Sequence, residues 1–73
     1  MRREMSFVIP ARCTIKSVNA ALKEAQAGMY IFYDAYNEHR ISIGHEHGDY
    51  DTHQRTTFWA PRQAAEFIER ELL

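Results

Sequence analysis

The sequence is poor in residues that cross-link or interrupt a chain, with one cysteine, three glycines and two prolines in 73 residues. A single cysteine, Cys13, excludes an intramolecular disulfide and fits a reducing compartment. So little glycine and proline argues against a linker or a disordered segment. No apolar run approaches the ~20 residues of a membrane-spanning helix, and the first residues lack the layout of a signal peptide. We expect one small cytoplasmic domain over residues 1–73, with residues 1–5 as a flexible arm.

Charge is balanced overall but is unevenly distributed. The formal net charge is −1, yet residues 1–23 sum to +4, residues 24–54 to −5 and residues 55–73 to zero. A nucleic-acid-binding protein usually carries a basic excess on one face. This pattern instead favours a mixed, solvated surface with an acidic middle segment.

The clearest element is an amphipathic helix over residues 15–27. Its apolar residues recur at helical spacing and share one face: Ile15, Val18, Leu22 and Ala25. Thr14 can cap the start, and Gly28 suits the left-handed residue that follows a helix end. Upstream, the apolar run 7–9 is stopped by Pro10, which predicts at most an edge strand or an ordered arm.

Three β-strands are predicted after this helix. Residues 29–35 are rich in aromatic and β-branched residues, and both faces of this strand are largely apolar. We therefore expect it to be a central strand that is covered, at least in part, on both sides. Residues 40–45 alternate and place Ile41 and Ile43 in the core. After a turn at 48–49, residues 53–59 form the third strand.

A second helix is predicted from Pro61 to the chain end, because proline suits the first helical turn. Its apolar stripe comprises Ala64, Phe67, Ile68 and Leu72. The element order is then (β)-α-β-β-β-α. The predicted fold class is α+β, a three-stranded antiparallel sheet packed with two amphipathic helices.

Four histidines form a conspicuous polar cluster with neighbouring acids. If the second hairpin places His45 opposite His53, then His47 and Asp51 join them on one face, and this set would suit a zinc ion. No established zinc spacing is present, and a one-residue change of register separates the candidates. We therefore expect a polar hairpin tip without a cofactor. A pH-sensitive surface is a further alternative, since imidazoles titrate near neutral pH.

The sequence contains no recognisable catalytic constellation. Cys13 has no base or orienting group assigned to it by any pattern, and a lone cysteine is usually a small buried hydrophobe. There is no Ser/His/Asp order, no catalytic carboxylate pair and no glycine-rich phosphate loop. We predict that the protein is not an enzyme.

Nucleic-acid binding is an alternative because of the element order. Helix–three strands–helix is similar to the order in double-stranded-RNA-binding domains, and a sheet followed by a helix also occurs in small domains that read the DNA major groove. Arg40, Arg55 and Arg62 would be the contacts. However, those RNA-binding domains hold phosphates with a lysine cluster at the start of the second helix, where this chain has only Arg62. The acidic segment 24–54 also opposes phosphate binding.

Aromatic residues give the strongest functional signal, since nine of them make up 12% of the chain. Both helices can be buried on one sheet face, which leaves rings on the other face for a partner; the alternative is that the helices straddle the sheet. Tyrosine and tryptophan are common interface anchors. We predict a small non-catalytic protein-binding module, regulatory or inhibitory, that binds another protein or itself as a homodimer. Phage or bacterial accessory proteins that block a host or defence complex belong to this size class.

The predicted partner-binding residues combine rings with acidic groups. The rings would supply contact area, and the acids would set charge complementarity with a basic partner surface. They are Tyr30, Phe32, Asp34, Tyr36, Glu38, Asp49, Tyr50, Asp51 and Trp59.

Overall fold

The computed structural model describes residues 6–37, 40–46 and 56–73. Its elements are α1 (Ile15–Glu24), β1 (Met29–Asp34), a 3₁₀ turn (Ala35–Asn37), β2 (Arg40–His45), β3 (Thr57–Phe58), α2 (Pro61–Phe67) and a π-helical segment (Ile68–Leu72) that continues α2. The strands form one antiparallel sheet with the order β1-β2-β3. The α+β class and the order α-β-β-β-α are confirmed. The predicted arm and the predicted turn at 48–49 lie outside the described residues.

Helix α1 begins at the predicted cap but ends earlier than expected. Thr14 Oγ1 accepts the Ser17 N–H and Ser17 Oγ accepts the Thr14 N–H, both at 2.9 Å, so the two residues form a reciprocal capping box. The left-handed residue that follows the helix is Gln26, with φ 56°, and Gly28 adopts φ 74° two residues later. Sequence reasoning did not anticipate Gln26, because a left-handed conformation costs a non-glycine residue roughly 1–2 kcal/mol.

Strand β1 lies at the edge of the sheet, so the prediction that it is central was wrong. Strand β2 is the central strand and pairs with β1 on one side and β3 on the other. Strand β1 also ends one residue earlier than predicted, at Asp34. The Asp34 Oδ1 atom accepts the Tyr36 N–H at 3.0 Å, and this bond starts the 3₁₀ turn. An apolar pattern on both faces does not by itself distinguish a strand that is covered twice from an edge strand with exposed rings.

The core lies between the helices and one face of the sheet. Ile31 on β1 and Ile41 and Ile43 on β2 share this face, since Ile31 pairs with Ile43 and the two β2 residues are two positions apart. They belong to one buried cluster with residues from both helices and from the positions that directly follow each helix: Val18, Leu22, Ala25, Ala64, Ala65 and Ile68. Both predicted stripes are thus confirmed, and both helices pack on the same side of the sheet.

The N-terminal run 7–9 is not a strand, which corrects the optional first β element. Phe7 is buried in the core cluster and Ile9 packs against its edge, so the segment acts as an ordered apolar arm. The Arg62 guanidinium donates to the Ala11 carbonyl oxygen at 2.8 Å and fastens this segment to the start of α2.

Helix α2 starts at the predicted Pro61, although its cap residue, Ala60, has no side-chain acceptor. Gln63 Oε1 instead accepts the Trp59 N–H at 3.0 Å. This bond helps to explain why Trp59, which was expected in the third strand, lies just beyond β3. The predicted strand residues 53–55 lie outside the described ranges. Among the residues that the structure describes, no helix has the length and apolar character needed to cross a bilayer.

Replacing a core leucine should cost far more stability than replacing a surface one. Leu22 is fully buried and Leu73 is mostly exposed, so we expect Leu22→Ala to lower the free energy of unfolding by about 2–5 kcal/mol. Leu73→Ala should change it by less than about 0.5 kcal/mol. Urea unfolding followed by circular dichroism measures both values, and equal losses would contradict this placement of the core.

Candidate functional site: the open face of the sheet

The side of the sheet opposite the helices carries a set of side chains that no described helix covers. We call this set the open face. Strand alternation and the β1–β2 and β2–β3 registers place most of its members, and Trp59 belongs to it because it stacks against Arg40. The members are Tyr30, Phe32, Asp34, Arg40, Ser42, Gly44, Thr57 and Trp59.

One end of the open face is built from Tyr30 and Gly44, which are paired across β1 and β2. The Tyr30 ring lies directly over Gly44, because a Cβ at this glycine would meet the ring's Cζ at 2.5 Å. The glycine therefore makes room for the ring to lie along the sheet. Phe32 stands two residues further along β1, with its ring centroid 5.8 Å from that of Tyr30.

The middle of the open face is polar and internally satisfied. Ser42 on the central strand is buried, and its hydroxyl donates to Asp34 Oδ2 at 3.2 Å. Since Asp34 Oδ1 already accepts the Tyr36 N–H, this carboxylate ties β1, β2 and the 3₁₀ turn together. Asp34 thus has a structural role in addition to the charge complementarity that was predicted for it from the sequence.

The other end of the open face is a stack of Arg40 on Trp59. The Arg40 guanidinium carbon lies 4.1 Å from the centroid of the Trp59 ring system, within cation–π range. The same guanidinium donates to the Thr57 hydroxyl at 3.0 Å. These contacts hold the indole at the sheet surface although 68% of the residue is exposed. Trp59 is the one tryptophan of the chain.

Several predicted partner-binding residues do come together here. Tyr30, Phe32, Asp34 and Trp59 lie on the open face, and Tyr36 follows in the 3₁₀ turn with 99% of its surface exposed. The other predicted members lie outside the described residues: Glu38, Asp49, Tyr50 and Asp51.

Sequence reasoning missed two contributors to this face, Arg40 as the residue that orients Trp59 and Gly44 as the seat of the Tyr30 ring. The alternation that places Ile41 and Ile43 in the core also places Arg40 and Gly44 on the opposite side. That signal was available in the sequence.

The structure gives Tyr33 a different setting from the open-face rings. It alternates with Tyr30 and Phe32 and therefore points to the helix side of the sheet, yet it is 63% exposed, near the end of β1. Tyr33 is therefore a matched control, an exposed aromatic residue on the other face of the sheet.

The histidine hypothesis stays untested, because only one of its four candidates, His45, lies among the described residues, in which no group of three potential metal ligands comes together. His45 pairs with Met29 at the end of β2, on the helix side of the sheet. The remaining candidates, His47, Asp51 and His53, lie outside the described ranges. Cys13 is half-buried beside the core, and its thiol donates to the Pro10 carbonyl oxygen at 3.2 Å.

The arginines of the nucleic-acid hypothesis have separate structural partners. Arg40 stacks on Trp59, whereas Arg62 donates to the Ala11 carbonyl oxygen in the N-terminal segment. Arg55 lies outside the described residues. These bonds do not exclude a phosphate contact, because a guanidinium carries five N–H groups.

Comparison with known proteins assigns no family to this arrangement: the chain matches no protein-family model, and it has no significant match to a curated protein or to a solved structure.

The Arg40–Trp59 stack should be measurable as a coupling energy. In a double-mutant cycle of Arg40→Met and Trp59→Leu, we expect a favourable coupling of about 0.5–1 kcal/mol, the range for an exposed cation–π pair. Urea unfolding gives the four free energies. The matched cycle pairs Trp59→Leu with Arg70→Met, since Arg70 is exposed and bonds to Glu71 instead. A coupling no larger than in this second cycle would contradict the stack.

Proposed function

We propose that this protein is a non-catalytic protein-binding domain that docks on its partner through the open face. The observation that carries the proposal is the one-sided packing of the helices, because it leaves Tyr30 and Trp59 at the surface while the core is complete without them. Large rings held in place by neighbouring side chains are the typical anchors of protein interfaces. Regulation or inhibition of the partner, as by a phage or bacterial accessory protein, is the form of action that we propose for it.

The partner we propose is a protein with a basic surface around an apolar patch. The rings of the open face supply the apolar contact. The segment 24–54 carries a net charge of −5 in the sequence. Of its described acids, Asp34 lies on the open face and Glu46 directly follows β2. Opposite charge at the rim of an interface chiefly raises the association rate and the specificity.

The open face is small compared with a protein interface of standard size. Six residues of β1 extend over about 20 Å, and three strands span roughly 14 Å including side chains at the edges. This footprint is well below the ~800 Å² that each partner buries in an interface of standard size. Most of the affinity must then come from a few anchors, and Trp59 is the most exposed ring on the face.

The experiment compares two exposed rings on opposite sides of the sheet. The tagged protein captures partners from extract of its source cell, and the captured protein is then purified and titrated by calorimetry. We expect Trp59→Ser to weaken binding at least about tenfold, which corresponds to ~1.4 kcal/mol. Tyr33→Ser should change the dissociation constant less than about threefold, as expected away from hot spots.

Three results would contradict the proposal: no partner is recovered, both variants bind as tightly as the parent, or Tyr33→Ser has the larger effect. Light scattering on the purified protein identifies self-association, in which case the same two variants are compared by their dimer dissociation constants. If nucleic acid is recovered instead, and if its binding weakens steeply and log-linearly with salt, the nucleic-acid-binding alternative replaces this proposal.

A further inference from the structure

The backbone of β1 has one side that pairs with β2 and one outer side. The Gly28 carbonyl oxygen accepts the Glu46 N–H at 3.0 Å, directly before the first pair of the ladder. In an antiparallel ladder every second residue exchanges bonds with the partner strand, so the even-numbered positions of β1 bond to β2. Met29, Ile31 and Tyr33 therefore direct their N–H and C=O groups towards the outer edge.

A side chain from α1 occupies the middle of this outer edge. Asn19 Oδ1 accepts the Ile31 N–H at 2.7 Å, and Asn19 Nδ2 donates to the Ile31 carbonyl oxygen at 2.9 Å. The side-chain amide thus makes both hydrogen bonds that the backbone of an added strand would make at Ile31. No strand can pair at this position while Asn19 is in place.

We infer that Asn19 closes the outer edge of β1 against pairing with β1 of a second copy of this chain. An exposed edge strand of apolar and aromatic residues is a template for strand addition. This strand is six residues long and its one charged residue is Asp34, at its end. The inference does not depend on the proposed function, since the edge and the open face are different surfaces of the sheet.

A second copy is the occupant that we infer, because the outer edge is complementary to itself. The outward-facing positions 29, 31 and 33 are centred on Ile31, so an antiparallel two-fold pairing would place Ile31 opposite Ile31 of the other copy. Asp34 would then lie opposite Gly28, with no like charges facing each other. Two three-stranded sheets would join into one sheet of six strands.

The first test is amide hydrogen exchange in the unmodified protein. We expect the Ile31 amide to be protected to within about tenfold of the Tyr30 and Phe32 amides, although it faces the outer edge, because Asn19 accepts its proton. In Asn19→Ala this protection should fall at least about tenfold relative to those neighbours when the protein is dilute enough to be monomeric. An Ile31 amide that exchanges like an unpaired one in the unmodified protein would overturn the inference.

The second test is self-association by sedimentation velocity. Asn19→Ala should dimerise with a dissociation constant at least about tenfold below that of the unmodified protein. The double variant Asn19→Ala/Tyr33→Pro should return to the original behaviour, since proline removes an outward N–H and is tolerated at a strand edge. Circular dichroism checks that each variant is folded.

Each outcome bears on the inference. A folded Asn19→Ala that sediments like the unmodified protein overturns it, and so does an Asn19→Ala dimer that Tyr33→Pro leaves intact. If Asn19→Ala does not fold, the exchange rate of the Ile31 amide in the unmodified protein tests the inference. Trp59→Ser should leave the effect of Asn19→Ala unchanged, which separates this edge from the docking face.

Discussion

One-sided packing of the two helices is the constraint on which the rest of this structure depends. Val18 and Leu22 from α1 and Ile68 from the segment that continues α2 meet the same isoleucine-lined face of the sheet. Helices are about 10 Å in diameter with their side chains, and three strands at ~4.8 Å spacing are scarcely wider than one of them, so two helices suffice for one face. The chain thereby completes its core while the open face takes no part in it.

The side chains of the open face are held in place by contacts within the chain. Tyr30 lies on Gly44, Asp34 accepts bonds from Ser42 and from the turn, and Arg40 stacks on Trp59. Side chains that are already held in one conformation lose less entropy on binding, so a small footprint yields more affinity than the same rings would give if they were mobile. At the strand edge, Asn19 occupies both outward-facing backbone groups of Ile31.

Periodicity predicted most of the fold because burial follows it closely: the α1 stripe, the inward pair Ile41 and Ile43, and the start of α2 at Pro61 all agree with the structure. Periodicity wrongly predicted that β1 is the central strand, because aromatic residues count as apolar whether they are buried or lie half-exposed on a sheet. The Asn19–Ile31 contact leaves no local pattern at all, since it joins a side chain to a backbone twelve residues away. The candidate site was predicted as a set of rings and acidic residues. Which side chains lie next to each other depends on the strand register, which no short-range signal fixes.

The most direct test of the central claim is the solvent accessibility of individual side chains in the isolated protein. Paramagnetic relaxation by a soluble, inert probe should strongly broaden the NMR signals of Tyr30, Phe32 and Trp59 and leave the Ile41 and Ile43 methyl groups nearly unaffected. Protection of those three rings to the level of the two isoleucines, in a sample that is monomeric, would mean that the chain covers its own face, and the account of a docking surface would then be wrong.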